Sequence, residues 1–295
     1  MSDYRPPLRD MKFVLEHLVD LDTIAEFPGY EHVDRELSFS ALDEAGRFMA
    51  EVIAPTNRIG DEVGAAIDPK GTVTLAPEIK RAYEQFVTAG WGAVKSTAEY
   101  GGHGFPTVVG IPVMEMLTSA NMAFSLCPML TASAILALDQ HGSDELKAVY
   151  LEKLISGEWT GTMVLTESEA GSDVGAVRTK AEPQDDGTWR IYGNKIFITW
   201  GDHDVADNII HLVLARVPDA PPGTKGISLF VVPKYLVNPD GSLGERNDVE
   251  CVGVEHKLGI HASPTAVMAY GEQRGAVAYL VGEVNAGMRC MFTMM

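Results

Sequence analysis

The hydrophobic pattern of this 295-residue chain changes period once, near Trp159, and that switch limits it to an α+β architecture of two consecutive parts. Over 39–58, Leu42, Ala45, Phe48, Met49, Val52 and Ile53 recur at helical spacing, and Pro55 is expected to limit the helix. Ile79, Ala82, Tyr83, Phe86 and Val87 repeat the pattern over 78–90, with Gly90 as the stop. The stretch 107–138 is apolar nearly all round, which predicts two buried helices punctuated by Pro112 and Pro128. Ser143 heads a run over 144–156 in which Leu146, Val149, Tyr150 and Leu154 share a face, and Gly157 ends it. The first 158 residues therefore read as helical. After Trp159, the segments 188–200, 209–217 and 226–233 are β-branched and aromatic, with Asp-Gly, Pro-Pro-Gly and Asn-Pro-Asp-Gly turns between such runs. The closing stretch 283–295 is Met-rich without alternation and reads as the opening of a further helix.

Charge and cysteine usage narrow the partners. With 41 acidic against 23 basic residues the formal charge is −18, a surface that repels nucleic-acid backbones and anionic headgroups. Cys127, Cys251 and Cys290 are odd in number and far apart, so neither a disulfide framework nor a zinc site is expected, and a cytoplasmic location is. The opening residues lack the apolar core of a secretory signal, and no uninterrupted apolar run of about 18 residues suggests a membrane span. The histidines, including His203, His256 and His261, form no ligand set at a known spacing, so no metal is expected. Met114, Met116, Met122 and Met129 form a stripe that is more often helix core than cofactor contact.

The stretch from Met163 to Gly175 is the most informative chemically, because a strand there runs into small and hydroxyl residues. Glycines let backbone N–H groups approach a phosphate, and Ser or Thr hydroxyls can donate to a pyrophosphate or a heterocycle edge. By itself a Gly-Ser-Asp loop is more often an ordinary turn.

Its surroundings carry more. The run Thr166-Glu167-Ser168-Glu169-Ala170-Gly171-Ser172-Asp173 resembles the Thr-Glu-x-x-x-Gly-Ser-Asp signature of the acyl-CoA dehydrogenase family. Lys195-Ile196-Phe197-Ile198-Thr199 resembles the family's Lys-x-aromatic-Ile-Thr strand. Trp91-Gly92 leading to Glu99-Tyr100-Gly101-Gly102-His103-Gly104 is similar to a third block, and Lys257-Leu258-Gly259-Ile260-His261-Ala262-Ser263 leading to Gly282-Glu283 to a fourth. The opening, from Tyr4 to Leu15, resembles the extra N-terminal segment of the subgroup that contains 3-methylmercaptopropionyl-CoA dehydrogenase.

The resemblance implies an all-α N-terminal domain over 1–158, including a subgroup segment over 1–38, and a β-barrel-like domain over 159–282. Residues 283–295 would then start a C-terminal helical domain that this chain lacks. It also implies FAD. Thr166 and the backbone around Leu165 would meet the flavin's pyrimidine edge, with Met163, Gly171, Phe197 and Ile198 also at the cofactor. Thr199 would bond near N5, and Ser172 would face the FAD pyrophosphate or the CoA arm of the substrate. Phe197 stands where many relatives have Trp, which leaves less stacking area. Ser168 replaces a common proline.

The implied reaction is FAD-dependent α,β-dehydrogenation of an acyl-CoA, either 3-methylthiopropanoyl-CoA or another short or medium thioester. Electron-transferring flavoprotein would be the acceptor, in a homo-oligomer. The family's base is a glutamate of the C-terminal domain, so none is named here, and Glu167 is read as a structural carboxylate. The chain by itself is expected to bind FAD weakly and to show no turnover. Three other readings are a non-enzymatic FAD-containing DNA-binding relative, an acyl-CoA oxidase, and a stand-alone CoA-binding or scaffold module.

Overall fold

The computed structural model describes residues 3–295, so Met1 and Ser2, at the head of the expected N-terminal segment, lie outside the described residues. Two short helices, α1 (Leu8–Val14) and α2 (Leu21–Ala25), flank a π turn and bury Met11, Leu15 and Leu21 in the helical core. Lys12–Asp43 (2.6 Å) and Arg35–Glu16 (2.7 Å) ion pairs tie this segment to the next helix.

That helix, α3 (Arg35–Phe48), starts earlier than its periodicity suggests because Asp34 caps it, accepting the Leu37 amide at 2.7 Å. Pro55 does not end it. A π turn at Met49–Ile53 precedes the proline, which takes a first-turn position of α4 (Ala54–Val63), where its missing N–H costs nothing. A hairpin of β1 (Ala66–Ile67) and β2 (Val73–Thr74) interrupts the otherwise helical half. Then come α5 (Pro77–Thr88), α6 (Thr107–Ala120), α7 (Met122–His141) and α8 (Asp144–Ser156). Pro112 and Pro128 lie inside α6 and α7 rather than between them. The break falls at Asn121, whose side chain caps α7 by accepting the Phe124 amide at 3.1 Å. Ser143 caps α8 and Gly157 closes it in the left-handed region, while Val149 faces solvent, unlike Leu146, Tyr150 and Leu154. Of the methionine stripe, Met116 is core and Met114 packs against it, but Met122 and Met129 are exposed.

The second half begins with β3 (Trp159–Val164) and continues with β4 (Lys180–Pro183), β5 (Trp189–Thr199), β6 (Asn208–Ala215) and β7 (Ser228–Pro233). A separate hairpin follows, β8 (Tyr235–Val237) with β9 (Leu243–Arg246). The half ends with β10 (Val249–Val254), β11 (Thr265–Tyr270) and β12 (Ala276–Val281). Eight of these strands form one mixed sheet in the order β10-β11-β5-β12-β7-β6-β3, with β4 alongside β5. The sheet curls as the barrel-like expectation requires. The end of β6 meets β4 through Arg216, whose carbonyl accepts from Ala181 and whose amide donates to Thr179, each at 2.8 Å.

Strand β6 is buried along its whole length. Ile210, Leu212 and Leu214 face the helices, whereas Val213 and Ala215 face the interior of the curled sheet, as period-two alternation dictates. A last helix, α9 (Gly287–Met294), packs on α7 and β7.

Helix α7 corrects one expectation. By length and composition it could cross a membrane, because Ser125, Thr131 and Ser133 interrupt the apolar run without making the helix polar. It is nonetheless a core helix, with just over half of that stretch buried and with α6, α8, α9 and β3 packed around it.

Candidate functional site

The site residues expected from the sequence come from two strands that different forces bring side by side. Strand β3 ends at Val164, and the chain reverses in a tight turn where Glu167 and Ala170 exchange backbone bonds at 3.0 and 3.1 Å. Opposite it, β5 carries a bulge. Lys195 faces Met268 and Ile198 faces Ala266, so Ile196 and Phe197 together oppose Val267 alone. The freed Ile196 amide turns to the Thr166 carbonyl at 2.9 Å, and the Thr162 hydroxyl donates to the Thr199 carbonyl at 2.7 Å. These two bonds put Leu165–Thr166 beside Phe197–Thr199.

The bulge also sets the aim of the aromatic ring. Phe197 sits at φ 59°, left-handed backbone that costs a bulky residue about 1–2 kcal/mol, and its side chain is 56% exposed. Burying a ring of that size against a ligand would repay the strain. Ile198 points the other way. It is 2% exposed inside the curled sheet, so its side chain packs inward and its backbone is what stands beside the shelf. Met163 and Leu165 are partly buried, packed toward the helices. Thr166 and Thr199 are half-buried, and Gly171 and Ser172 are exposed. A Cβ on Gly171 would lie 3.6 Å from Thr166 Cγ2, so the turn folds back over Thr166.

Beneath the shelf lies an ion pair that sequence reasoning did not place. Lys195 is fully buried, and its Nζ donates to the Leu165 carbonyl at 2.7 Å and to Glu167 Oε1 at 2.9 Å. Glu167 also accepts from the Thr179 hydroxyl (2.6 Å), the Thr179 amide (3.0 Å) and the Arg178 amide (2.7 Å). Burial lowers the Lys195 ammonium to about 8 against the pull of Glu167. For Glu167, burial works upward, but Lys195 and these donors outweigh it and hold the carboxyl below its usual value. A carboxylate so committed anchors the loop and is not free to take a substrate proton.

The Ser172 loop is propped from behind by Arg216. Its guanidinium donates to the carbonyls of Val177 (2.7 Å), Gly223 (2.9 Å), Pro221 (3.1 Å) and Gly175. Arg216→Ala is expected to cost about 1–3 kcal/mol, since four carbonyls lose a charged donor and water reaches only some of them. Urea unfolding reads this directly, and an unchanged midpoint would mean the guanidinium is dispensable.

The Lys in the Lys-x-aromatic-Ile-Thr block was the available signal for the anchor. A lysine in an apolar strand needs a counter-charge, and Glu167 is the carboxylate that the motif supplies. Nothing in the sequence marked Arg216. A cavity of about 200 Å³, lined among others by Lys95, Thr107, Ile135 and Asp139, lies in the helical half and includes none of the expected site residues. Among the described residues no group of three or more His, Cys, Asp or Glu side chains could hold a metal ion.

Residues 39–158 match the acyl-CoA dehydrogenase N-terminal domain, and residues 162–272 match the acyl-CoA dehydrogenase middle domain. The chain belongs to the acyl-CoA dehydrogenase family. Over 292 residues it is 52% identical to the 3-methylmercaptopropionyl-CoA dehydrogenase of Ruegeria pomeroyi, covering 99% of this chain and 49% of that protein. It is 40% identical to a butyryl-CoA dehydrogenase of Syntrophomonas wolfei, covering 100% of this chain and 50% of that protein. The structure of butyryl-CoA dehydrogenase from Megasphaera elsdenii superposes with a TM-score of 0.68 at 25% identity, over 87% of this chain and 61% of that one.

The chain thus spans about half the length of the curated relatives it matches. The acyl-CoA dehydrogenase domain matches begin at residue 39, but the Ruegeria alignment reaches well into 1–38, so the opening segment is shared with that relative. Neither a DNA-binding relative nor an oxidase finds support among these relatives.

Proposed function

We propose that this acyl-CoA dehydrogenase chain forms one wall of an FAD site in an enzyme that dehydrogenates a short acyl-CoA thioester between Cα and Cβ. The observation that carries the reading is the shelf, where the Ile196–Thr166 and Thr162–Thr199 bonds hold Leu165–Thr166 beside an outward-facing Phe197. The shelf suits a flavin. The carbonyls of Leu165 and Thr166 are taken up by Lys195 and Ile196, but no bond from either amide to another described residue is found. Two unused donors next to an exposed aromatic face match a planar ring with acceptors along one edge.

When bound, FAD supplies the oxidant for hydride removal from Cβ. The chain's own residues bind and orient. The Leu165 and Thr166 amides would donate to the ring edge, Phe197 would cover a face, the Thr199 hydroxyl would donate near the reactive nitrogen, and Ser172 would face a pyrophosphate or the CoA arm. With Glu167 committed to Lys195, removal of the α-proton falls to a carboxylate outside the shelf. The named relatives act on 3-methylmercaptopropionyl-CoA and butyryl-CoA, which favours a short thioester here. Electron-transferring flavoprotein as acceptor, a homo-oligomeric assembly and a cytoplasmic location complete the proposal.

The test is titration of the flavin-free protein, produced from its complete gene, with FAD. Thr199→Val and Phe197→Ala are each expected to weaken binding about tenfold, the equivalent of one good hydrogen bond or stacking contact. Anaerobic addition of butyryl-CoA or 3-methylthiopropanoyl-CoA should then bleach the visible flavin band. Absence of FAD binding by the unsubstituted protein would defeat the reading.

A further inference from the structure

Strand β5 does not end freely after Thr199. The chain turns through Trp200 at φ 53°, and the next residues leave the sheet and enter the helical half. Trp200 is 1% exposed and, with Val205 and Ala262, belongs to the core formed by α3, α5, α6 and α7 rather than to the sheet's own cores. Its indole N–H donates to the Ala123 carbonyl in the first turn of α7 at 3.0 Å. Four residues on, Asp204 accepts the Leu75 amide just before α5 at 3.2 Å and lies 3.8 Å from Lys80.

The same turn is fixed to the sheet from within. Asp202 accepts Lys234 Nζ at 2.5 Å and the His203 amide at 2.8 Å, and His203 Nε2 bonds the Thr160 hydroxyl at 3.0 Å. The Trp200 amide donates to the Pro264 carbonyl at 2.7 Å. Thr199 is therefore followed at once by a residue held by both halves.

We propose that the turn from Trp200 to Asp204 is a positioning device that keys the shelf to the helical half, so that Trp200 and Asp204 set where Phe197 and Thr199 stand relative to α7. The inference rests on the flavin-shelf reading for its catalytic consequence but not for its physical content. A ligand lying on Thr199 and reaching toward α7 meets both surfaces at once, and a displacement of about 1 Å between reacting groups can cost about a hundredfold in rate. Trp200 is buried in the helical core and Asp204 is bonded to the Leu75 amide, so both act on the shelf through the turn that follows Thr199.

Two variants test this. Trp200→Phe keeps a ring in the helical core and removes the indole donor, and Asp204→Ala removes the second key at a half-buried position. In the flavin-free protein, amide hydrogen exchange over 197–201 is expected to speed up by about tenfold or more, while protection in β6 and in the second half of α7 is retained. With FAD bound, each variant is expected to lower kcat about tenfold or more with little change in KM for acyl-CoA. Exchange that rises equally throughout α7 and β6 would make the turn a plain stability element and overturn the proposal. So would variants that match the parent protein in local exchange and in kcat. If the parent protein binds no FAD, the shelf reading fails, and the exchange measurement still decides whether the turn couples the two halves.

Discussion

Lys195→Met is expected to destabilise the protein by about 3–5 kcal/mol and to abolish FAD binding, the usual cost of stripping one partner from a buried ion pair. The ammonium is fully buried and bonds both the Leu165 carbonyl and Glu167. Its removal leaves a carboxylate that is only 12% exposed without its counter-charge and frees the strand end that carries the shelf. Glu167→Gln should cost less, because an amide oxygen in the Oε1 place can still accept from Thr179 and Lys195, although the bond from the Arg178 amide and the charge are lost. The double variant Lys195→Met with Glu167→Leu should recover most of the stability, since apolar replacement of a buried pair is often neutral, but not the FAD affinity. That split separates a merely stabilising pair from one that also shapes the site. Urea unfolding and FAD titration on the three variants measure it, and a Lys195→Met loss below about 1 kcal/mol would refute the argument.

Acid is expected to weaken the fold well before the carboxylates titrate. Burial holds His203 far below its ordinary value and pulls His211 down to about 3, with nearby Lys234 lowering both further. Between about pH 6.5 and 3 the unfolded chain binds protons at these two positions and the native chain does not, so stability falls as pH falls through that window and is level above it. At pH 5 the loss is roughly 2 kcal/mol per histidine, about 4 kcal/mol for the two, an upper figure if either site admits water. Glu167 adds little at pH 5, because its carboxyl in the unfolded chain takes up protons only around 4.5 and below, and under that pH its depressed native carboxyl adds to the loss. Urea midpoints at pH 7.5 and pH 5 test the effect, and His211→Phe should roughly halve it. A midpoint equal at both pH values would mean these rings protonate in place.

His211 also shows why the buried polar interior escaped the sequence. Its Nδ1 lies 2.7 Å from the Tyr270 hydroxyl, a partner 59 residues away. A histidine within the apolar strand Ile209-Ile210-His211-Leu212 announces that some partner must exist but not which one. The same holds for Asn121. It lies between two apolar helices whose prolines looked like the breaks, yet the boundary is set by the Asn121 cap, a side-chain bond that the apolar pattern does not weigh. Pro55 misled for a related reason, because a preceding π turn let the helix absorb it.

From residues alone came the helical-then-β order, the strand and turn segments around 188–233, the Thr166–Asp173 and Lys195–Thr199 blocks, and through them the family. Local periodicity and turn chemistry act over a few residues, so a linear string carries them in full. Only the folded chain decided that Ile198 faces inward, that a bulge turns Phe197 out at left-handed φ, that Lys195 closes on Glu167, and that Trp200 belongs to the helical core. Each depends on register across strands or on contact between segments tens of residues apart. A one-residue change of register reverses the face a side chain takes, and that is fixed by the total packing energy of both halves rather than by any local pattern.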